Sequence, residues 1–153
     1  MASHRPDLTL MRGKFLDVSQ AEAATVDLLQ QHPELSGLFA VWDVPAIGAA
    51  AAIRAAGKSL PVTTVDLGNE VAAELANNEL VKGIAAQQPF DQGIAAGVAT
   101  ILGLLSREPP PWIALPGLPV TVDNVVEAYQ MVWHAAAPSE LIRSRTLRGP
   151  KSL

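Results

Sequence analysis

The chain has 153 residues and a mass of 16.1 kDa, enough for one domain with a sizeable core and too short for two. Apolar residues make up 49% and charged residues only 17%, which excludes a disordered chain; zero cysteines exclude a disulfide framework, a thiolate metal site and a cysteine nucleophile together. The formal charge of −4 is unevenly spread, because residues 15–142 hold four basic against fourteen acidic side chains, and a body carrying that excess of acid would repel a phosphate backbone.

In chain order the pattern alternates between extended and helical segments. Residues 8–15 read as a short strand. "SQAEAATVDLLQQH" follows as a helix opened by the S-x-x-E capping box of Ser19 and Glu22. "LSGLFAVW" is a continuous β-prone run, and "DVPAIGAAAAIRAAGK" a helix with Asp43 placed to cap, Pro45 in its first turn and Gly57 at its end. "LPVTTVD" is extended again, and "NEVAAELANNE" is a short helix with Asn69 near its start. "VKGIAAQ" is a weaker strand, and "PFDQGIAAGVATILGLLSR" a long helix stopped by "EPPP". The prolines of "WIALPGLPVTVD" allow only short extended pieces, and "NVVEAYQMVWHAA" closes the pattern with a helix ending before Pro138.

Apolar strands separated by helices indicate parallel strands buried on both faces. The expected fold is therefore α/β, an open and mostly parallel sheet of about five strands with helices on both faces. Residues 1–7 read as a disordered or vector-derived start and 8–137 as the domain. Residues 138–153 read as a solvated basic tail carrying Arg143, Arg145, Arg148 and Lys151. No apolar run reaches the roughly 20 residues a membrane-spanning helix needs, so no membrane insertion is expected. The start of the chain lacks the pattern of a secretory signal, which on its own points to the cytoplasm.

In an open parallel sheet, ligands bind outside the carboxyl ends of the strands. The residues just past those ends are Leu16, Asp17 and Val18 after the first strand, Trp42 and Asp43 after the second, Asp66 after the third, and Gln87 and Gln88 after the fourth. Carboxylate acceptors, amides and an aromatic face suit a neutral polyol, and Trp42, Asp43, Asp66 and Gln87 supply that mixture. Each also has a structural reading: Asp43 as a helix cap, Trp42 as an interior residue, Asp17 as part of the turn before Ser19. Asp66 is the hardest to explain structurally. Enzyme motifs are missing: no glycine-rich dinucleotide or phosphate loop, no nucleophile elbow, no nucleophile with a base. His4, His32 and His134 have no metal-ligand spacing, and His134 reads as a packing or surface residue. No catalytic residue, metal or cofactor is expected.

The segments "LLQQHPELSGLFAVWDVPAIGAAAAIRAAGK", "LPVTTVDLGNEVAAELANNELVKGIAAQQPFDQGIAAG" and "LPVTVDNVVEAY" resemble, over residues 8–137, the carboxy-terminal lobe of the ribose-type periplasmic sugar-binding proteins of ABC transporters. The resemblance implies a sugar-binding, non-enzymatic transport component and a periplasmic location. It also implies that the amino-terminal lobe, the other half of a hinged cleft, is absent or separately encoded. By position, Asp43 is the aspartate of the family's "nD-x-x-A-x-G-A" pattern, Trp42 replaces its usual asparagine, and Asp66 and Gln87 fall on typical sugar-hydroxyl contacts. Leu16 and Val18 stand where an aromatic and an arginine are common, which speaks against an ordinary pentose. Partners implied are a small sugar, an ABC permease or the other lobe, and no nucleic acid. Without that lobe, Trp112, Ile113, Leu115, Leu118, Val120, Tyr129 and Trp133 would meet water, so a homodimer with Trp112 or Trp133 in its interface is expected. The alternatives are the effector lobe of a LacI-type regulator, a small cytoplasmic α/β enzyme, which would show turnover, or a truncated remnant that binds nothing.

Overall fold

A computed structural model describes residues 7–148; the rest of the expected amino-terminal start and Lys151 lie outside the described residues. Four strands form one sheet in the order of the chain: β1 (Leu38–Phe39), β2 (Val62–Val65), β3 (Val81–Ala86) and β4 (Leu118–Val120). The first three are parallel and β4 runs antiparallel to β3. Six α-helices flank them: α1 (Ala21–Gln31), α2 (Asp43–Ala55), α3 (Asn69–Ala76), α4 (Pro89–Leu104), α5 (Val125–Trp133) and α6 (Ser139–Arg148). The fold is thus the expected open, mostly parallel α/β sheet.

One face of the sheet carries the core. Val62, Thr64, Val81, Ile84 and Ala86 point into it and meet α2, α3 and α5 through Ile53, Val71, Leu75, Val125 and Val132, all buried. The alanine-rich stretch of α2 buries Ala46, Ala49, Ala50 and Ala52, small side chains that let α1 lie close beside it. A register shift at Val62 and Thr63 breaks the alternation of β3 at Lys82; past it, Thr63 and Ala85 alternate with the buried residues and are exposed, as is Phe39. That is the period-2 pattern of a sheet covered on one face. The helix with the most apolar sequence does little to cover the other face, since α4 contacts chiefly α5 and has no buried residue.

Among the described residues the sheet has four strands and not about five, because residues 8–15 join no strand. A cavity of about 480 Å³, lined by residues 9–15 on one side and 37–41 on the other, separates this segment from β1. Helix α1 holds it instead: a Cβ built on Gly13 would come within 2.7 Å of Leu28 Cδ1. The helix start also differs from the expected Ser19 capping box. Asp17 caps a 3-10 turn (Val18–Gln20), accepting from the Ser19 N–H at 2.9 Å, while the Gln20 side chain reaches back to the Asp17 N–H. The D-x-x-Q box thereby takes the place of S-x-x-E, three residues apart in the same way.

Residues 139–148 form α6 and do not fray. Leu141 is fully buried between α3 and α5, and the Ser144 hydroxyl donates to Asn77 Oδ1 at 2.5 Å. Arg143 remains exposed, while Leu141 on the same helix completes the core. Arg54 ties α2 to α3 by pairing with Glu74 at 2.5 Å and with Glu79.

Candidate functional site

The carboxyl ends of β1, β2 and β3 bring together residues that are far apart in sequence. Asp66 follows β2 directly; its N–H donates to the Ala85 carbonyl of β3 at 3.3 Å. Its φ of +69° puts a non-glycine residue in the left-handed region, which Asp tolerates better than most residues but still at a cost of about 1 kcal/mol. That turn sends the carboxylate across to the neighbouring strand end, where Gln87 Nε2 donates to Asp66 Oδ1 at 2.7 Å. Gln92, in the first turn of α4, donates to Gln87 Oε1 at 3.0 Å. The result is a fixed ladder, Gln92 to Gln87 to Asp66. Asp66 accepts one of these bonds and keeps lone pairs for further donors, and Gln87 keeps its second N–H.

Asp43 joins from the end of β1. It is the first residue of α2 and not its cap; Trp42 occupies the cap position without a side-chain hydrogen bond. Asp43 Oδ1 accepts the Val44 N–H at 2.8 Å, a favourable place for a carboxylate against the positive end of the helix. Its other oxygen lies over Gly68: a Cβ there would sit 2.3 Å from Asp43 Oδ2. Gly68 is two residues beyond Asp66, so the absence of a side chain at 68 is what lets the Asp43 carboxylate lie on the Asp66 turn. Trp42 is partly exposed and tilts against Phe15, ring centroids 5.9 Å apart.

The remaining strand-end residues are arranged differently. Gln88 turns away to the Pro116 carbonyl at 2.9 Å, holding the segment that leads into β4. Leu16 is fully exposed and Val18 more than a third exposed. Asp17 is occupied by its cap: the Ser19 hydroxyl and N–H, donating at 2.5 and 2.9 Å, hold its carboxyl below the ordinary 3.8.

Sequence reasoning about strand ends missed Gln92, Tyr129 and Trp133 as polar neighbours of this edge. Trp133 Nε1 donates to the Leu67 carbonyl at 2.8 Å, and the Tyr129 hydroxyl to Asn69 Oδ1 at 2.5 Å. Both come from α5, spaced i and i+4 on one helix face, and together they brace the turn that follows Asp66. His134, in the left-handed region at the end of α5, stacks on Phe90 at 4.0 Å, so it is a packing residue, as its sequence context suggested. Among the described residues no group of three or more His, Asp or Glu could hold a metal ion, and no helix is long and apolar enough to cross a membrane.

Comparison with known families gives one domain match, to the periplasmic binding protein domain over residues 5–105. Among curated proteins no relative matches the sequence. Solved structures do. An ABC transporter solute-binding protein from Agrobacterium vitis with bound allitol is 25% identical, with a TM-score of 0.69, over 84% of this chain and 48% of its own. A solute-binding protein of the same kind from Mycobacterium smegmatis, with bound glycerol, is 26% identical, with a TM-score of 0.73, over 85% and 46%. An ABC sugar transporter subunit from Rhodobacter sphaeroides is 27% identical, with a TM-score of 0.67, over 80% and 47%. The chain thus spans about half the length of these relatives.

Proposed function

Since the chain belongs to the periplasmic binding protein domain family, we propose that its strand-end edge is one wall of a binding site for a neutral polyol or sugar, serving an ABC transporter and not an enzyme. The observation that carries this reading is the Gln92–Gln87–Asp66 ladder beside Asp43. Two carboxylates accept from hydroxyls, the glutamine amide donates and accepts, and Trp42 offers an aromatic face to C–H groups. Such groups fit an uncharged hydroxyl-rich ligand better than an anion, which both carboxylates would repel. The relatives above that hold allitol and glycerol support the same ligand class.

A single wall touches one side of a ligand and cannot exclude water from it. The working protein in this reading includes a second lobe, in the same polypeptide or separately encoded, and delivers its ligand to a permease in the periplasm. Alone, the chain binds at millimolar concentration, because losing half the contacts and the closure costs several kcal/mol, and each 1.4 kcal/mol is about tenfold in affinity. Self-association of the chain, through a surface that includes the exposed Trp112 or Trp133, belongs to the same reading.

The test is a titration of the isotopically labelled chain with allitol, allose and glycerol, following backbone amide shifts. Saturable shifts at Asp66, Leu67, Gln87 and Gln88, lost in Asp66→Ala, are the expected result. Asp66→Asn is the folding control, since Asn also adopts the left-handed turn and can accept from Gln87. Shifts absent from the strand ends for all three polyols, or unchanged in Asp66→Ala, would overturn the assignment.

A further inference from the structure

Helix α5 contributes no residue to the strand-end ladder, yet its end touches the chain on both sides of it. Trp133 Nε1 donates to the Leu67 carbonyl at 2.8 Å, one residue past Asp66. One turn earlier on the same helix face, the Tyr129 hydroxyl donates to Asn69 Oδ1, and the two rings lie tilted with centroids 6.3 Å apart. His134, next in the chain, stacks on Phe90 at 4.0 Å, just past Gln87 and Gln88.

The hold on Leu67 matters because of the conformation that precedes it. Asp66 has φ of +69°, a region that residues with a side chain occupy less than the right-handed one by roughly fivefold or more. Such a conformation persists where the surroundings over-determine it. On the near side, the Asp66 N–H is fixed on the Ala85 carbonyl of β3 at 3.3 Å. On the far side, the Leu67 side chain is only 2% exposed and its carbonyl is held by the indole. With both flanks fixed, the chain between them passes through the left-handed region, and the carboxylate meets Gln87 Nε2 at 2.7 Å. Removing the indole N–H releases the far flank. Asp66 can then relax towards the extended region, which carries its carboxylate away from Gln87.

We propose that Trp133 is a positioning residue of the strand-end site: its indole N–H, with Tyr129 one turn behind it, keeps Asp66 left-handed and its carboxylate on Gln87. The effect on Asp66 stands by itself, whereas the effect on a ligand rests on the polyol reading.

Carbon-13 and nitrogen-15 NMR of the ligand-free chain tests it, with Trp133→Phe, Tyr129→Phe, Asp66→Ala and Leu141→Ala beside the parent. Trp133→Phe keeps an aromatic ring beside Tyr129 but has no N–H to donate. It is expected to shift the Gln87 side-chain amide towards its position in Asp66→Ala, where the bond to residue 66 is absent, and to move the Asp66 Cα resonance. Tyr129→Phe is expected to do the same to a smaller extent. Leu141→Ala loosens the packing of α6 on α3 and α5 and is expected to leave the Gln87 amide in place, which separates positioning from a general loss of stability. In an allitol titration Trp133→Phe is expected to bind about fivefold more weakly, because apparent affinity falls with the fraction of chains that hold the competent turn. A Gln87 amide that Trp133→Phe does not move, or that Leu141→Ala moves equally, would overturn the proposal. So would a parent that binds allitol and a Trp133→Phe variant that binds it as tightly. A parent whose strand-end amides ignore allitol, with the Gln87 amide displaced in Trp133→Phe, would support the positioning role and refute the polyol reading alone.

Discussion

The contact between Asp43 and Gly68 is the joint that assembles the strand-end edge, and Gly68→Ala is the change that tests it. Gly68 has φ of −75° and ψ of 167°, a conformation alanine adopts freely, so the substitution introduces no backbone strain. The whole penalty comes from the new methyl group, which would lie 2.3 Å from Asp43 Oδ2. Ordinary contact needs about 3.4 Å, so the carboxylate must move by about 1 Å. The direct way to do so is to rotate the carboxylate, which draws its other oxygen off the Val44 N–H that it accepts at 2.8 Å. Losing that bond and the favourable charge at the start of α2 costs about 1–2 kcal/mol.

A single variant would confound this with the change at the first turn of α3, where glycine is itself the better cap. The double-mutant cycle with Asp43→Ala separates the two. In the Asp43→Ala background the methyl group meets no carboxylate, and the capping penalty and the lower unfolded-state entropy of alanine act in opposite directions. Urea unfolding of the four proteins should therefore give a coupling of about 1 kcal/mol or more between positions 43 and 68. A coupling below about 0.3 kcal/mol would mean that the two residues do not press on each other and that Asp43 is not positioned by the Asp66 turn. If the polyol reading holds, Gly68→Ala should also weaken binding while leaving the Asp66–Gln87 hydrogen bond in place.

Leu141→Ala removes a fully buried side chain from α6 and should cost about 2–5 kcal/mol, or roughly 5–15 °C in melting temperature for a chain of this size. A loss under about 0.5 kcal/mol would show that α6 is not part of the cooperative unit. Asp17 should titrate below 3.8, because ionisation is favoured by the Ser19 hydroxyl and N–H. A carboxyl depressed on folding stabilises the native state above its unfolded pKa, and that contribution is lost as pH falls from about 4 through the native midpoint. Carbon-13 NMR of the Asp17 carboxyl should show this, and Ser19→Ala should raise the midpoint; a midpoint at or above 3.8 would refute the cap.

The parts of the fold that were legible in the sequence are those whose signals are local. β3 is bounded by Asn78 on one side and by Pro89 opening α4 on the other, so "VKGIAAQ" could be read as a strand and Gln87 as the residue at its end. Asp66 was legible for the same reason, as a lone carboxylate terminating "LPVTTV". The strand at 8–15 was not, because alternation supplies the residues of a strand but not its neighbour. β1 is two residues long, and the space beside it is a cavity lined by that very segment. The choice between Asp17 and Ser19 as cap was local but degenerate, since each has a suitable partner three residues on. Leu141 was hidden by the basic residues around it, and only the docking of α6 on α3 and α5 reveals its side. Tyr129 and Trp133 were read as apolar surface, because their hydrogen-bond partners lie sixty and sixty-six residues away.

Two surfaces of the chain make separate demands. At the strand ends the polar groups are paired with one another yet retain capacity, so a ligand bound there would meet groups already held by one another, which lowers the cost of ordering them. Along α4 the surface is apolar, and among the described residues nothing buries it. A partner on α4 would therefore be selected by apolar area, whereas a ligand at the strand ends would be selected by hydroxyl geometry. The two meet only where Pro89 and Phe90 join Gln88 to the helix.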